Sequence, residues 1–352
     1  MNKITTVGVD LAKDVIVVCA ADADGHAVFF RQFSFHGFGQ WAAKLVPCTF
    51  GMEACGSSHY WARRLASYGH TARLMAAEFV VPFRKSKGAK NDRNDAQAIL
   101  SAVRQPDMRF VSVKSIDDQA VLAWHRMRKG WSDERTALIS RIRGLMAEFG
   151  VWIGRSPESL MRALPLLVED ERIPARLRPL LIAAHEELHR LKERIEFCEL
   201  EIRAHAKQND DAQRIEAIIG IGPITASAMV STVAHASDFK NGRQMAAWLG
   251  LVPKQFSSGG KTVLGRITKR GDTYLRGLLF NGSRSALVSA LRKAPEKRTR
   301  LQRWMIDLRA RLGYIKALVA IANKHARMIW AILAKGEAYD PEAWQRHIPR
   351  PI

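Results

Sequence analysis

"ITTVGVDLAKDVIVVCAAD", residues 4–22, contains two apolar runs separated by a short polar turn. Each run is rich in β-branched residues and has the length of a buried strand, so the pattern predicts two strands that can pair. Asp10 stands at the end of the first strand, which puts a carboxylate at the edge of the expected sheet. The stretch therefore predicts a first domain built on a β-sheet.

Strand and helix patterns alternate from here to about residue 110. They are a strand in "AVFFRQFSF" (27–35), a helix around 37–46, a strand in "CTFGMEA" (48–54), a helix in "SSHYWARRLASYGH" (57–70), a strand in "TARLMA" (71–76) and a helix that starts near Asn91. Ser57 or Ser58 is the expected N-cap of the second helix. Strands that alternate with helices predict an α/β layer.

From about residue 115 to 207 the pattern is helical only. In "ERTALISRIRGLMAEFG" (134–150) one apolar face is expected to hold Leu138, Ile142, Leu145, Met146 and Phe149. A second long helix has apolar residues spaced alternately by three and four, at Leu181, Ala184, Leu188, Leu191, Ile195, Cys198 and Ile202. This heptad pattern is typical of a coiled coil, and it favours a contact through which copies of the chain form a dimer or tetramer, with a hairpin within one chain as the alternative.

Residues 208–335 form a third, mainly helical region with loops near 219–223 and 253–272. In "IEAIIGIGPITASAMVSTV" (215–233), Gly220 and Gly222 lie between two apolar helices. The arrangement is similar to a helix–hairpin–helix, whose glycine turn lets backbone N–H groups approach a DNA phosphate. A plain tight turn between two helices is the alternative. The tail from residue 336 is expected to be peripheral.

The chain has 352 residues and a net charge of +21, and this charge is unevenly distributed. Residues 251–352 hold 21 Lys and Arg against six Asp and Glu, a net charge of +15. This excess favours a polyanion such as nucleic acid as the partner, although a soluble basic protein of another kind would share it. The four cysteines have no metal-finger spacing, and no apolar run reaches the roughly 18 residues of a membrane span. A reduced cytoplasmic protein without a membrane partner is expected.

Four acidic residues are placed where an α/β fold would bring them together. Asp10 and Glu53 end two strands, while Asp92 and Asp95 lie three positions apart at the start of a helix. Strand ends and helix starts converge on one crevice of such a sheet. Four carboxylates there need cations, and oxygen ligands of this kind suit Mg²⁺. The sequence therefore predicts a magnesium site for phosphoryl transfer.

Each acid also has an ordinary reading as a turn, cap or surface residue. A strand-terminal Asp before a hairpin also occurs in actin-like ATPases, but the glycine-rich nucleotide loops of their second lobe are not evident here. Basic residues around the helical pair are expected to contact phosphates, namely Arg84, Lys85, Lys87, Lys90 and Arg93.

Several motifs together resemble one family. They are "GVDLAKD" (8–14), "GMEACGSSHYWARRLASYGH" (51–70), "KNDRNDAQAI" (90–99), "AAWLGLVPKQFSSGGK" (246–261) and "RITKRGDTYLRGLL" (266–279). Nearly the whole chain, from about residue 4 to 335, resembles the DEDD-type insertion-sequence transposases of the IS one-ten family and its IS eleven-eleven subgroup, kin of the Piv/MooV DNA invertases.

The resemblance implies an α/β plus α fold with a RuvC-like, ribonuclease-H-type domain (1–112). A helical coiled-coil insertion (113–207), a mainly helical transposase domain (208–335) and a tail (336–352) are expected to follow. The family's four metal-binding acids correspond to Asp10, Glu53, Asp92 and Asp95. The resemblance also implies a bridge RNA that pairs with donor and target DNA, and acids that act from a partner protomer.

The family's nucleophilic serine corresponds to Ser258, and it would form a covalent bond to DNA. The neighbouring Ser257 is the alternative, and read without the family "SSGGK" is an ordinary polar loop. Basic residues that could hold the phosphate are Lys261, Arg266, Lys269 and Arg270. Further candidates for nucleic-acid contact are Lys324 and Arg327, together with the aromatic residues Phe256, Tyr274 and Phe280, whereas a core role is favoured for Trp248.

The expected function is an RNA-guided, Mg²⁺-dependent DNA recombinase that assembles as a homodimer or tetramer and works at the bacterial nucleoid. One alternative is a metal-dependent nuclease or junction resolvase in which Ser258 only shapes a loop. The other is a nucleic-acid-binding protein without catalysis.

Overall fold

The strand pair of residues 4–22 lies inside a six-stranded mixed sheet. A computed structural model describes residues 4–84 and 91–341, and Lys85, Lys87, Lys90 and the residues from 342 onwards lie outside this range. The chain divides into two compact units, residues 1–115 and 116–352. The predicted borders at residues 112, 207 and 335 remain predictions.

The sheet of the first unit has the order β3-β2-β1-β4-β5-β6. Its strands are β1 (Thr6–Leu11), β2 (Ile16–Ala21), β3 (Ala27–Phe33), β4 (Thr49–Glu53), β5 (Thr71–Met75) and β6 (Phe110–Val111). β1 runs antiparallel to β2 and parallel to β4, β4 runs parallel to β5, and both edge strands are antiparallel to their neighbours. The predicted α/β layer is confirmed.

Helices cover both faces of this sheet, and they are α1 (Phe35–Ala42), α2 (Ser58–Ser67), α3 (Ala77–Val80) and α4 (Asp92–Val103). On one face Phe38 of α1 and Trp61 of α2 pack with Phe50 of β4. On the other face Ala96 and Leu100 of α4 pack against β2. Alternate side chains of the strands thus pack into two separate cores, one on each face of the sheet, as the two-residue period of a strand requires.

The predicted N-cap position of α2 is confirmed at Ser57, but the serine side chain does not cap the helix. Ser57 occupies the N-cap position with φ 64° and makes no side-chain bond to the helix, and the Ser58 hydroxyl donates to the Cys55 carbonyl at 2.8 Å. A tight left-handed turn after Glu53 leaves Ser57 no extended backbone from which to cap. α4, in contrast, is capped by Asn91, whose side chain accepts from the Asn94 N–H at 2.8 Å.

The second unit is mainly helical. It contains α5 (Ile116–Ala147), α6 (Pro157–Leu167), α7 (Arg178–Gln208), α8 (Asp210–Glu216), α9 (Pro223–Thr232), α10 (Gly242–Trp248), β7 (Pro253–Gln255), β8 (Leu264–Ile267), α11 (Thr273–Arg292), α12 (Arg300–Leu312) and α13 (Tyr314–Lys335). The helices from α8 to α13 pack around two apolar cores. A third core is shared by α5, α6 and α7.

The heptad seam of α7 is covered within the chain. All seven predicted seam residues are buried, and α7 packs along α5. Leu181 and Leu188 share a core with Ile142 of α5. The structure thus has the helical hairpin that was the alternative, and the favoured dimer contact through this seam is corrected, because α5 of the same chain already covers the seam.

The predicted apolar face of α5 needs one correction. Leu145 is 45% exposed, whereas Ile139 is buried together with Ile142 and Met146. The buried residues are spaced by three and four along the helix, and Leu145 falls just outside this stripe.

α13 is the one helix of the described residues that is long and apolar enough, by length and composition alone, to cross a membrane. Eight of its residues are buried, and it packs against α10, α11 and α12. These contacts are those of a core helix in a globular unit.

Candidate active site and nucleic-acid-binding surface

The acidic residues of the first unit are positioned by two parallel strands and one helix. Asp10 lies near the carboxyl end of β1, and Glu53 is the last residue of the adjacent β4. Asp92 and Asp95 lie in the first turn of α4, which packs on β1. This packing is close, because a Cβ on Gly8 would lie 2.4 Å from the Ala96 carbonyl oxygen. A glycine in β1 thus lets α4 approach near Asp10.

The electrostatics of Asp10 reflect this convergence. Its pKa is raised from 3.8 to about 6, first by burial and then by the negative charges of Asp95, Asp92 and Glu53, while Arg84 opposes the shift. A like charge disfavours ionisation only when it is near, so the carboxylates of Asp95, Asp92 and Glu53 lie close enough to Asp10 to act on it. The cluster is therefore an acidic site that favours a bound cation.

Arg84 already supplies one positive charge to this acidic site. Its Nε lies 2.9 Å from Asp95 Oδ1, and its Nη2 lies 3.7 Å from Glu53 Oε1. The structure places Arg84 beside these two carboxylates, and its predicted contact with phosphate stays a prediction. The cause of this placement is electrostatic, since a guanidinium beside buried carboxylates gains more than one in water.

The donor set fits a hard divalent cation. All four side chains offer carboxylate oxygens, which are the ligands of Mg²⁺ and related ions. A guanidinium that bridges Glu53 and Asp95 occupies the place of such a positive charge. Arg84 pairs with two of the four acids, and a divalent ion would neutralise further negative charge of this site.

A second acidic group has a structural explanation. Among the described residues, the ligand-type atoms of Asp22, Asp24 and His26 lie within 4.8 Å of one another. Asp22 Oδ1 accepts the backbone N–H groups of Gly25 and His26, each at 2.9 Å. This bonding closes the turn between β2 and β3, so the turn accounts for the cluster.

Ser258 begins the tight turn of the β7–β8 hairpin. The Lys261 N–H donates to the Ser258 carbonyl at 3.0 Å, and the two central residues, Gly259 and Gly260, have φ of 54° and 77°. Positive φ at both positions is the pattern of a type I′ turn, which strongly favours glycine. The polar loop of the sequence is therefore an ordered hairpin tip with an exposed Ser258.

Ser257 differs from Ser258 in its contacts. The Ser257 Oγ accepts a hydrogen bond from Nε2 of Gln255, the last residue of β7, at 2.9 Å. Phe256 is 65% exposed on the hairpin. The basic residues predicted around the serine are all exposed on the hairpin and the loop that follows it, at Lys261, Arg266, Lys269 and Arg270.

Two family matches cover most of this chain. Residues 212–301 match the family described as "Transposase IS116/IS110/IS902 family", and residues 7–150 match the DEDD family of IS110, described as "Transposase". A probable family 20 transposase of Pseudomonas aeruginosa is 43% identical over 96% of this chain and 99% of its own length. The chain belongs to the IS110 transposase family. The family resemblance drawn from the motifs is thereby confirmed.

Two further relatives support this assignment. The transposase for insertion sequence element IS1111A of Coxiella burnetii is 38% identical over 96% of this chain and 92% of its own length. The transposase for insertion sequence element IS1328 of Yersinia enterocolitica is 33% identical over 96% of this chain and 99% of its own length.

The glycine turn of this IS110-family transposase serves packing at one of its two glycines. Gly220 has φ 91°, and a Cβ there would lie 2.4 Å from the Gly282 carbonyl oxygen of α11. Gly220 thus lets the turn between α8 and α9 touch α11. A Cβ on Gly222 would meet nothing within 4 Å. A phosphate contact therefore remains a prediction for Gly222, while the need for glycine at 220 has a packing cause.

The other residues predicted to contact nucleic acid, or weighed for that role, lie in different environments in the transposase. Arg93 lies over the Phe30 ring at 4.8 Å from its centroid. Trp248 and Phe280 are partly buried against the cores of the second unit. Lys324 and Arg327 line a groove beside α12 and α13.

No pattern in the sequence predicts the buried hydrogen-bond network that joins four helices of the transposase. His125 of α5 makes bonds of 2.9 Å to the Tyr274 hydroxyl and 3.0 Å to the Ser227 hydroxyl, and His205 Nδ1 lies 3.0 Å from the same Ser227 oxygen. Burial lowers the pKa of His125 to about 4, so its ring is neutral. Tyr274, predicted to stack on bases, is thus engaged in the interior.

Proposed function

We propose that this chain is the DNA recombinase of an insertion sequence, which cuts and rejoins strands with Mg²⁺ through a covalent serine–DNA intermediate. The observation that carries the proposal is geometric: Asp10 and Glu53 lie at the carboxyl ends of β1 and β4, Asp92 and Asp95 lie in the first turn of α4, and Arg84 pairs with both Glu53 and Asp95. Carboxylate sets of this kind bind the metal ions of phosphoryl transfer. Membership in a transposase family supports DNA as the substrate.

The four acids would hold Mg²⁺. When bound, the metal supplies positive charge to a scissile phosphate and polarises an attacking oxygen. Arg84 holds the carboxylates of Glu53 and Asp95 in place through its two ion pairs. A divalent ion would weaken both pairs, because it competes for the same oxygens.

Ser258 would be the nucleophile. Its Oγ forms a bond to phosphorus, the bond from phosphorus to one deoxyribose oxygen breaks, and one proton passes from the serine hydroxyl to the departing oxygen. Reversal by another DNA hydroxyl restores the serine, so the phosphoester bond is conserved and ATP is not needed. An unaided serine is a poor nucleophile, and Lys261 and Arg266 on the same hairpin would stabilise the developing charge.

The partners follow from the same proposal. Donor and target DNA would be joined by a guide RNA that pairs with both, and the active assembly would contain two or four copies of the chain. The remaining exposed basic residues, including Lys269 and Arg270, would bind phosphates. The protein would act in the cytoplasm at the nucleoid.

The serine is tested with labelled DNA that carries the ends of the element. Wild-type protein with Mg²⁺ and RNA transcribed from the flanking DNA is expected to give a denaturant-resistant protein–DNA adduct. Ser258→Ala should abolish the adduct, while Ser257→Ala, the matched control one residue away, should retain it. Asp10→Asn should also lose the adduct, although it should retain DNA binding.

Other outcomes would contradict parts of the proposal. Cleaved DNA with free ends and no adduct would instead indicate a metal-dependent nuclease. Loss of the adduct in Ser257→Ala alone would move the nucleophile by one residue. Full activity without the RNA would exclude a guide, and full activity of Asp10→Asn would exclude the acidic site.

A further inference from the structure

A groove in the second unit is rich in positive charge. Its volume is about 1050 Å³, and it lies between the start of α10, α12 and the second half of α13. Six basic side chains line it, namely Arg243, Arg300, Arg303, Lys324, Arg327 and Lys335. Three acids, Asp307, Glu337 and Asp340, also line it, so a net positive charge remains.

Three of these cations lie close enough to repel one another. Burial lowers the pKa of Lys324 to about 8, and the charge of Arg327 adds to this shift; burial likewise lowers the pKa of Arg327, and the charge of Arg243 adds to it. α10 brings this about, because Gly242 packs directly on the Arg327 backbone: a Cβ on Gly242 would lie 2.9 Å from the Arg327 Cα. Repulsion between these cations destabilises the folded chain, whereas an anion bound in the groove would reduce it.

The walls of the groove are apolar and aromatic. Trp304 of α12 and Met328 of α13 are only partly buried and line it together with Ala331. Duplex DNA keeps its base faces covered and offers mainly phosphates, so apolar walls would add little to its binding. An unpaired strand exposes base faces, which stack on aromatic side chains while cations follow the backbone.

We propose that this groove binds an unpaired segment of single-stranded DNA, with phosphates at Arg243, Lys324 and Arg327 and a base against Trp304. The proposal rests on the proposed function, because strand exchange leaves DNA unpaired. The groove is separate from the Ser258 hairpin, since its lining includes no residue of that hairpin.

The test measures binding of fluorescent oligo(dT) to the full-length protein by anisotropy. The double variant Lys324→Gln/Arg327→Gln is expected to lower affinity at least about ten-fold and to reduce the salt slope by about 1.4, as the loss of two phosphate contacts requires. The matched control is Arg311→Gln/Lys316→Gln, which removes two exposed charges, one from α12 and one from α13, outside the groove lining. It should stay within about two-fold of wild type.

Further variants separate stacking and folding from charge. Trp304→Leu should weaken oligo(dT) binding by at least about five-fold and leave duplex binding of equal length unchanged. Arg327→Lys keeps the charge and should retain binding. Equal losses in the groove and control variants, or equal losses for duplex and single strand, would overturn the proposal. Tighter binding of oligo(U) than of oligo(dT) in the groove would overturn the assignment to DNA.

The two proposals fail in distinguishable ways. An intact groove effect without any serine adduct would refute the covalent mechanism alone. A serine adduct formed by wild type, with oligo(dT) binding unaffected by the groove variants, would refute the groove alone.

Discussion

Asp10 is the single residue whose ionisation reports on the acidic site. Its folded pKa of about 6 lies above the ordinary 3.8, so ionisation of Asp10 opposes folding. The sign follows from linkage: the cost is absent below about pH 4, grows as pH rises through 6 and is complete above it. A bound divalent ion would remove this cost, since it favours the ionised form.

Asp10→Asn should therefore raise the free energy of unfolding near pH 8, in the absence of divalent ions, by on the order of 1 kcal/mol after allowance for solvent screening. Near pH 4 the same variant should show no gain. Urea denaturation at both pH values measures the difference. Asp14→Asn, at an exposed carboxylate beyond the same strand, is the control and should change little. An equal gain at both pH values would contradict the electrostatic origin.

Single residues also mark the limit of sequence-based prediction. Asp10 and Glu53 could be placed because each ends a strand, and ends of parallel neighbours meet at one edge. Arg84 could not, since its partners Glu53 and Asp95 come from β4 and α4, and its own segment has no regular pattern. The bond between His125 and Tyr274 joins residues 149 positions apart, a separation that no local pattern encodes.

Among helices and strands, the most predictable were those with a strong period. The strands β1 and β2 and the seam of α7 were readable because burial imposes a period of two or of three and four. The sequence did not show whether that seam packs against a helix of the same chain or of a second chain, because a heptad pattern requires a partner helix without identifying it. The Ser258 turn was missed as structure, since two glycines fit both a loose loop and a type I′ turn.

The seam of α7 yields a prediction about stability. Leu188 is 2% exposed against α5, so Leu188→Ala should lower the free energy of unfolding by about 2–4 kcal/mol. Leu200 lies on the same helix at 65% exposure, and Leu200→Ala should change it by less than about 0.5 kcal/mol. Denaturant unfolding measures both values. A loss in Leu188→Ala that vanishes on raising protein concentration would instead indicate a seam between chains.

The net positive charge of the whole chain is concentrated in its C-terminal residues. Residues 251–352 carry a net charge of +15, so binding to arbitrary duplex DNA should be governed by counterion release. If about six phosphates are neutralised, affinity should fall about 10³-fold between 50 and 200 mM salt. A filter-binding titration across salt measures the slope. Asp10→Asn should leave this slope unchanged, and a flat salt response would refute a mainly ionic contact.

α5 and α7 pack against each other as a pair of long helices. α5 has 32 residues, so at 1.5 Å per residue it is about 48 Å long, comparable to some fourteen base pairs of duplex DNA. α5 and α7 pack along a heptad repeat. An insertion or deletion therefore keeps their packed faces in register only when it adds or removes whole heptads. Evolution can thus lengthen the reach of this unit in steps of about 10 Å, and it must alter both helices at once.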